Sequence, residues 1–436
     1  MSTATETMRA NIAPEQAAMG AEERATRAMR GFAREIGALS ALRLESCIHC
    51  GICADACHFY IATEDPQYTP VLKVEPFKQA FKREASAFAP VFRWFGLKPK
   101  VTARELERWQ HLLYDSCNMC GRCTLICPMG IDITALIEQA RHAMFEAGLA
   151  PQELYEKAAR QRRLGQPEQS SEPYRDKLVA IGHEFGVDIP LDRAPADVML
   201  TVPRTDIEHY PKAVAALARV MSHLKVSCTF RSDGLLAENY GYYAGGRDWQ
   251  REISHRLVDQ AVACGAKVLI VPECGHAYAA LRWEAADLLG KPLPFKVRHI
   301  TEYLAEELAA GHLRLTRAET GATAFHDPCM LVRKGGVLEA PRKLMAALGV
   351  VPREMTHNVG FDYCCGGGGG VLEIERAAPL RYRAMENKLR AIDATEARTF
   401  LTSCSDCRRT FDDGKRHFNW DKTPQSLLEL VAEHLA

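Results

Sequence analysis

The sequence predicts an α/β and α-helical chain in two halves, a helical N-terminal part and a C-terminal pseudo-twofold pair of α/β lobes. Three observations carry this. Two copies of one cysteine spacing, C-x2-C-x2-C-x3-C, occupy residues 47–57 and 117–127 of the N-terminal half. From about residue 196, short apolar runs of strand character alternate with helical stretches, the pattern of α/β units on parallel strands. The alternation occurs twice, and tandem similarity of this kind implies two related lobes.

A chain of 436 residues can hold two or three domains with cores of their own. Lys plus Arg and Asp plus Glu both number 55, so no summed field would hold nucleic acid or an anionic membrane. The first stretch, residues 1–40, mixes charge with alanine, reads as a helical extension and lacks the apolar core of a secretory signal. No run reaches the roughly 18 apolar residues of a membrane span. The expected location is therefore the cytoplasm, where thiols stay reduced and clustered cysteines suggest metal or redox chemistry.

Sixteen cysteines divide evenly, eight before residue 130 and eight after residue 225. The polar stretch RQRRLGQPEQSSEPYRDK, between two helical patterns, falls in the cysteine-free interval, and a domain boundary is placed near residue 195.

In residues 41–195 the two motifs are CIHCGICADAC, with Cys47, Cys50, Cys53 and Cys57, and CNMCGRCTLICP, with Cys117, Cys120, Cys123 and Cys127. Three thiolates at steps of three wrap one face of a [4Fe-4S] cubane, and the fourth reaches the other cluster in two-cluster ferredoxins. The expected sets are crossed: Cys47, Cys50, Cys53 with Cys127, and Cys117, Cys120, Cys123 with Cys57. Structural zinc, the alternative, takes separated C-x2-C pairs. This half is accordingly read as a helical ferredoxin-like domain with two [4Fe-4S] motifs. Gly51 and Gly121 suit tight loops around a cluster. His58 stands where Pro128 stands in the second copy, and reads as a packing or hydrogen-bonding residue.

Between the motifs lie 59 residues in which Phe77, Phe81, Phe88, Phe92, Trp94 and Phe95 recur at near-helical spacing among lysines and arginines. They read either as an insertion packed on its own domain or as a docking face for a membrane subunit.

The lobes are placed at 196–318 and 319–436. In the second, Cys329 is followed by Cys364 and Cys365 and then by Cys404 and Cys407, each group at or beyond the end of an expected strand. Open α/β sheets gather their ligands there. In the first, LTVPRTD stands for FHDPCML, YYAGG for YCCGG and VPECGHAY for CSDCRRTF, leaving only Cys274, opposite Cys407 in that alignment. Cys274 is a remnant ligand or a pocket thiol.

The C-x34-CC-x38-C-x2-C arrangement headed by HDPC resembles the CCG domain family. With a doubled ferredoxin motif ahead of two such lobes, the chain is similar to heterodisulfide reductases of the D type and to the K subunit of the membrane-bound Dsr complex of sulfur-metabolising bacteria. The likeness covers nearly all of the chain after residue 40. It implies a noncubane [4Fe-4S] cluster held by Cys329, Cys364, Cys365, Cys404 and Cys407, at which a disulfide or trisulfide of a small thiol or carrier protein is cleaved. It also implies two [4Fe-4S] cubane clusters as feeders and a membrane cytochrome b-type or other electron-transfer subunit as partner. The chain would then be cytoplasmic and peripheral on the inner membrane. The first lobe lacks the full cysteine set, so it is read as degenerate.

S–S cleavage takes two electrons, which iron–sulfur clusters deliver singly. Adjacent thiolates can serve neighbouring irons where the backbone comes close, and Gly366 to Gly370 permit that approach. His326, and Asp327 beside it, could donate a proton or orient the substrate, or could be buried and satisfied. Arg333 and Lys334 are candidates for an acidic substrate or for a solvated face. Arg298 and His299 read as helix-capping or packing residues, and Cys228 and Cys264 as small buried groups. No dinucleotide fingerprint is present, so electrons must come from another protein. Two other functions share these modules: the iron–sulfur subunit of a glycolate, lactate or glycerol-3-phosphate oxidase complex fed by a flavin partner, and an electron carrier with a purely structural cysteine site.

Overall fold

A computed structural model describes residues 11–84, 89–95, 101–168, 173–357 and 359–436. They fall into two compact units. The first comprises Met1–Ala159, Tyr240–Gln250 and Gly366–Glu386; the second comprises Arg160–Asn239, Arg251–Cys365 and Asn387–Ala436.

The first unit is helical. Ala, Glu and Arg, all strong helix formers, build α1 (Ala21–Glu35), which packs on α3 (Ile133–Glu146). Gly31 makes the crossing possible, because a Cβ there would lie 2.8 Å from Ala143 Cα. Between them in sequence, α2 (Pro70–Glu84) buries Phe77 against Phe32, with ring centroids 5.3 Å apart. Phe77 thus belongs to the core while Trp94 and Phe95 are exposed; the side chains of Phe88 and Phe92 lie outside the described residues. Tyr240, Tyr243 and Val371 join this helical core, which explains why two segments from the C-terminal half belong to the first unit.

The second unit holds two four-stranded parallel sheets of identical topology. One runs β2-β1-β3-β4 (Cys228–Phe230, Val198–Leu200, Val268–Val271, Lys296–His299), the other β6-β5-β7-β8 (Pro352–Arg353, Thr323–His326, Thr399–Thr402, Pro424–Ser426). Registers correspond as well: Leu200 pairs with Ile270, and Phe325 with Leu401. The central strands β1 and β5 are buried throughout, as parallel strands covered on both faces must be. Side chains from both sheets, among them Val198, Ile270, Phe325 and Leu401, enter one apolar cluster.

Helices begin where the central strands end. These are α4 (Arg204–His209) after β1, α5 (Gly275–Ala279) after β3 and α6 (Ser405–Phe418) after β7. Cys274 caps α5 and Cys404 caps α6 with similar extended dihedrals, so Cys274 is the counterpart of Cys404, and not of Cys407 as the sequence alignment had it. The lobes meet closely beside these caps: a Cβ on Gly275 would lie 2.5 Å from Leu331 N.

Candidate metal centres

In the first unit Cys47, Cys50, Cys53 and Cys127 line one cavity. Burial pushes the Cys53 thiol up, and the neighbouring Cys47, Cys127 and Cys50 push it further. Cys123 is raised in the same way by burial and by Cys120, Cys117 and Cys57. Each group of four therefore draws three thiols from one motif and one from the other. Like-charged thiolates packed this closely require a cation among them, and compact sets of four suit [4Fe-4S] clusters.

Local backbone explains the arrangement. Gly51 (φ 83°) and Gly121 (φ 80°) take left-handed turns inside the motifs. A π-helical turn, His111–Asp115, delivers Cys117, whose carbonyl accepts from Arg141 Nη2 at 3.0 Å. Lys73 Nζ donates to Cys57 Sγ at 3.5 Å, a charge suited to a thiolate. His58 is buried, with Nε2 2.5 Å from Asn118 Oδ1, and Asn118 Nδ2 donates to Gly366 O at 2.6 Å and Gly368 O at 3.1 Å. The glycine run approaches this loop: a Cβ on Gly369 would lie 2.9 Å from the Asn118 carbonyl carbon. Its close approach thus serves the backbone at Cys117 and Asn118, a role that the sequence reading assigned to the vicinal cysteines.

In the second unit five buried thiols converge from three loops. Cys329 Sγ lies 3.6 Å from Cys364 Sγ. Cys365 Sγ, Cys407 Sγ and a ring nitrogen of His326 lie within 4.8 Å of one another. Hydrogen bonding to Cys365 and Cys404, and then burial, push the Cys407 thiol well up. A dry pocket cannot hold several thiolates unaided, so the donor set fits a cationic, sulfur-bound iron core.

His326 is fully buried beside these sulfurs. Its Nδ1 lies 3.2 Å from Asp362 Oδ2 as a charge pair, and neither ring nitrogen makes a hydrogen bond among the described residues. Lys388 Nζ donates to Asp362 Oδ2 at 2.6 Å, and Arg333 Nη1 donates to the Gly360 and Asp362 carbonyls at 2.9 and 3.1 Å. Against its burial, the Lys388 ammonium, with His326 and Arg333, holds Asp362 far below the usual carboxylate range. Burial, reinforced by Lys388, lowers His326. Asp362 and Lys388 carried no sequence signal, because a lone acid and a lysine 26 positions on read as surface charge.

The remaining candidates have structural partners. Asp327 accepts two bonds from Arg342, at 2.9 and 2.8 Å. His299 caps the helix Ile300–Ala309, and burial lowers it to about 3. Arg298 pairs with Glu306 at 2.9 Å. Cys264 is buried, its thiol 3.4 Å from Ala261 O, whereas Cys228 is half-buried at the start of β2.

Together, the two cysteine constellations define an iron–sulfur protein that joins a dicluster module to a cysteine-rich α/β module. Residues 43–131 match the 4Fe-4S dicluster domain family, and residues 323–412, within the second lobe, match the cysteine-rich (CCG) domain family. The chain is homologous over most of its length to heterodisulfide reductases of the D type and is an iron–sulfur oxidoreductase subunit related to them. It is 28% identical to the D-type subunit of the dihydromethanophenazine:CoB–CoM heterodisulfide reductase of Methanosarcina barkeri, over 92% of this chain and 96% of the relative. Identity is 24% to an Hdr-like menaquinol oxidoreductase iron–sulfur subunit of Archaeoglobus profundus (80% of this chain, 71% of the relative). It is 26% to an EtfAB:quinone oxidoreductase of Syntrophomonas wolfei (86% and 55%). Among the described residues no helix is long and apolar enough to cross a membrane.

Proposed function

We propose that this protein reduces, or in the reverse sense forms, a disulfide- or trisulfide-type S–S bond at a noncubane [4Fe-4S] cluster held by Cys329, Cys364, Cys365, Cys404 and Cys407. The observation that carries the reading is the meeting of five buried thiols from three loops beside a histidine nitrogen with no partner among the described residues. When bound, such a cluster supplies sulfur-binding irons and a one-electron store.

The chain's own residues do the rest. The crossed sets, Cys47, Cys50, Cys53 with Cys127 and Cys117, Cys120, Cys123 with Cys57, would hold two cubanes, which would supply one-electron carriers to the site. His326, oriented by Asp362, presents Nε2 to the substrate sulfur and passes it a proton; Lys388 and Arg333 keep Asp362 ionised. The donor is a quinone-linked membrane partner, of cytochrome b type, which places the chain at the inner membrane surface. The menaquinol oxidoreductase relative supports this pairing. The substrate is a small-thiol or carrier-protein disulfide.

The test is an EPR spectrum of oxidised protein with a candidate thiol. The reading predicts a paramagnetic signal that needs the thiol and vanishes in Cys364→Ser; a spectrum indifferent to thiol and mutation contradicts it. The EtfAB:quinone oxidoreductase relative favours a second reading, a relay from a flavin partner to quinone as in glycolate, lactate or glycerol-3-phosphate oxidase complexes. Under that reading a flavoprotein copurifies and no thiol alters the spectrum.

A further inference from the structure

At the strand ends where the second lobe carries thiols, the first lobe carries buried carboxyls. Asp206 lies in α4, Glu238 in the segment before residue 240 and Glu273 in the turn between β3 and α5, and all three are buried. Asp206, within reach of Ser405, and Glu238, within electrostatic reach of Asp406, face the start of α6, which Cys404 caps and which bears Cys407, while Glu273 meets it through its backbone carbonyl. Thr205 Oγ1 donates to Asp406 Oδ1 at 2.7 Å, and Ser405 N donates to Glu273 O at 2.8 Å. Cys274 stands here too, within electrostatic reach of Glu238, Asp406 and Cys404.

The cations nearby, Arg204 beside Glu238 and Arg408 beside Asp206 and Glu273, lower these carboxyls less than burial raises them, and each also pairs with another acid. Arg204 N donates to Glu238 Oε1 at 2.7 Å, but its guanidinium pairs with Glu168 at 2.9 Å. Arg408 pairs with Glu429 at 2.5 Å. Tyr174, near Arg204 and Glu238, and Tyr210, bound to Asp412, add no positive charge. Burial therefore dominates, lifting Glu238 to about 8 and Glu273 to about 7 and raising Asp206.

Two oxygens stand out. Asp206 Oδ1 and Glu238 Oε2 are buried with no hydrogen-bond partner among the described residues, as is the hydroxyl of Ser403 next to Cys404. Buried polar atoms of this kind call for an explanation, and a carboxyl oxygen without a hydrogen bond can take up or release a proton. A single-cation site is disfavoured: no three of the carboxylate oxygens and the Cys274 sulfur come within 4.8 Å of one another among the described residues. Glu273 continues outward through Ser426 Oγ, at 2.7 Å, towards Glu429, which lies 3.9 Å from the exposed Lys212.

We propose that the carboxyls of the degenerate lobe are the proton supply of the five-cysteine site, with Glu238 and Asp206 handing over protons and Glu273 connecting them to the surface beside Glu429. The inference rests on the reductase reading above. Breaking RS–SR′ takes two electrons and two protons and yields RSH and R′SH. Electrons arrive singly from reduced [4Fe-4S] clusters, which a quinol-class donor refills, and protons come from solvent. A buried site needs a route for them, and the first lobe, having lost its thiols, provides one.

The experiment uses the full chain with its clusters loaded, reduced viologen as donor and 2-hydroxyethyl disulfide as probe. Glu238→Gln should keep its iron content but lose at least about tenfold in rate near pH 7.5, with a larger solvent deuterium isotope effect. Glu238→Asp should recover part of the rate. The oxidised-minus-reduced infrared spectrum of the wild type should contain a protonated-carboxyl band that Glu238→Gln removes. An unchanged rate, isotope effect and infrared spectrum overturn the proposal. Should Glu238→Gln fail to accumulate folded protein, Asp206→Asn is read by the same criteria. Wild-type protein that reduces no disulfide contradicts the reductase reading, and the infrared band then decides the carboxyl proposal separately.

Discussion

The two lobes of the second unit share strand order, register and helix starts, yet one gathers five thiols and the other three carboxyls with a single cysteine. Where the second lobe has Cys329 at the start of a π-helical turn, the first has Arg204 opening α4. Where Cys404 caps α6, Cys274 caps α5. The scaffold of parallel strands evidently fixes the position of a functional group without fixing its chemistry. One lobe can thus hold a metal centre while its twin turns to polar support.

The comparison breaks most visibly at the thiols. Cys364→Ser should remove iron from the second unit and lower disulfide reduction by at least about a hundredfold, in a viologen-linked assay. Next in size is the ion pair beside the site. Asp362→Ala strands the Lys388 ammonium in a dry interior, and chemical denaturation should show a loss of about 3–5 kcal/mol. Adding Lys388→Met to it should recover part of that loss, the Arg333 guanidinium still lying 3.4 Å from where the carboxylate was.

A smaller effect is expected where the lobes touch. Gly275→Ala places a Cβ against the Leu331 backbone and should cost about 1–3 kcal/mol, read as a lowered Tm with iron content retained. The carboxyls then sharpen the contrast through pH. Glu238, near 8 when folded against 4.5 when unfolded, binds more protons in the folded state across that interval. Its contribution is fully present below about 4.5 and is lost as pH rises through about 8. Stability measured from pH 5 to pH 9 should therefore fall, and Glu238→Gln should flatten the slope. Smallest of all, Cys274→Ser should leave iron per chain unchanged.

How much of this was legible beforehand depends on whether the signal is local. The four-cysteine runs and the strand-end thiols have fixed spacing along the chain, so both groupings could be proposed from sequence. The central strands at 198–200, 268–271, 323–326 and 399–402 followed from their apolar runs. Lys388, Asp362, Asp206 and Glu238 were not legible, because a buried charge is recognised only by partners that the fold brings from distant segments. Glycines 366 to 370 were read for their freedom beside Cys365, whereas the constraint on Gly369 is the backbone of Asn118. A run of glycines announces close approach without saying to what. The pairing of Cys274 with Cys404 likewise needed the helix caps, since three letters of offset between weakly similar segments cannot be settled by matching cysteines.

Iron analysis of the purified, anaerobically prepared chain beside its Cys364→Ser variant tests the five-thiol centre most directly. Three [4Fe-4S] clusters predict about twelve irons per wild-type chain and about eight in the variant. A wild-type chain holding only about eight, with no change on mutation, would contradict the account.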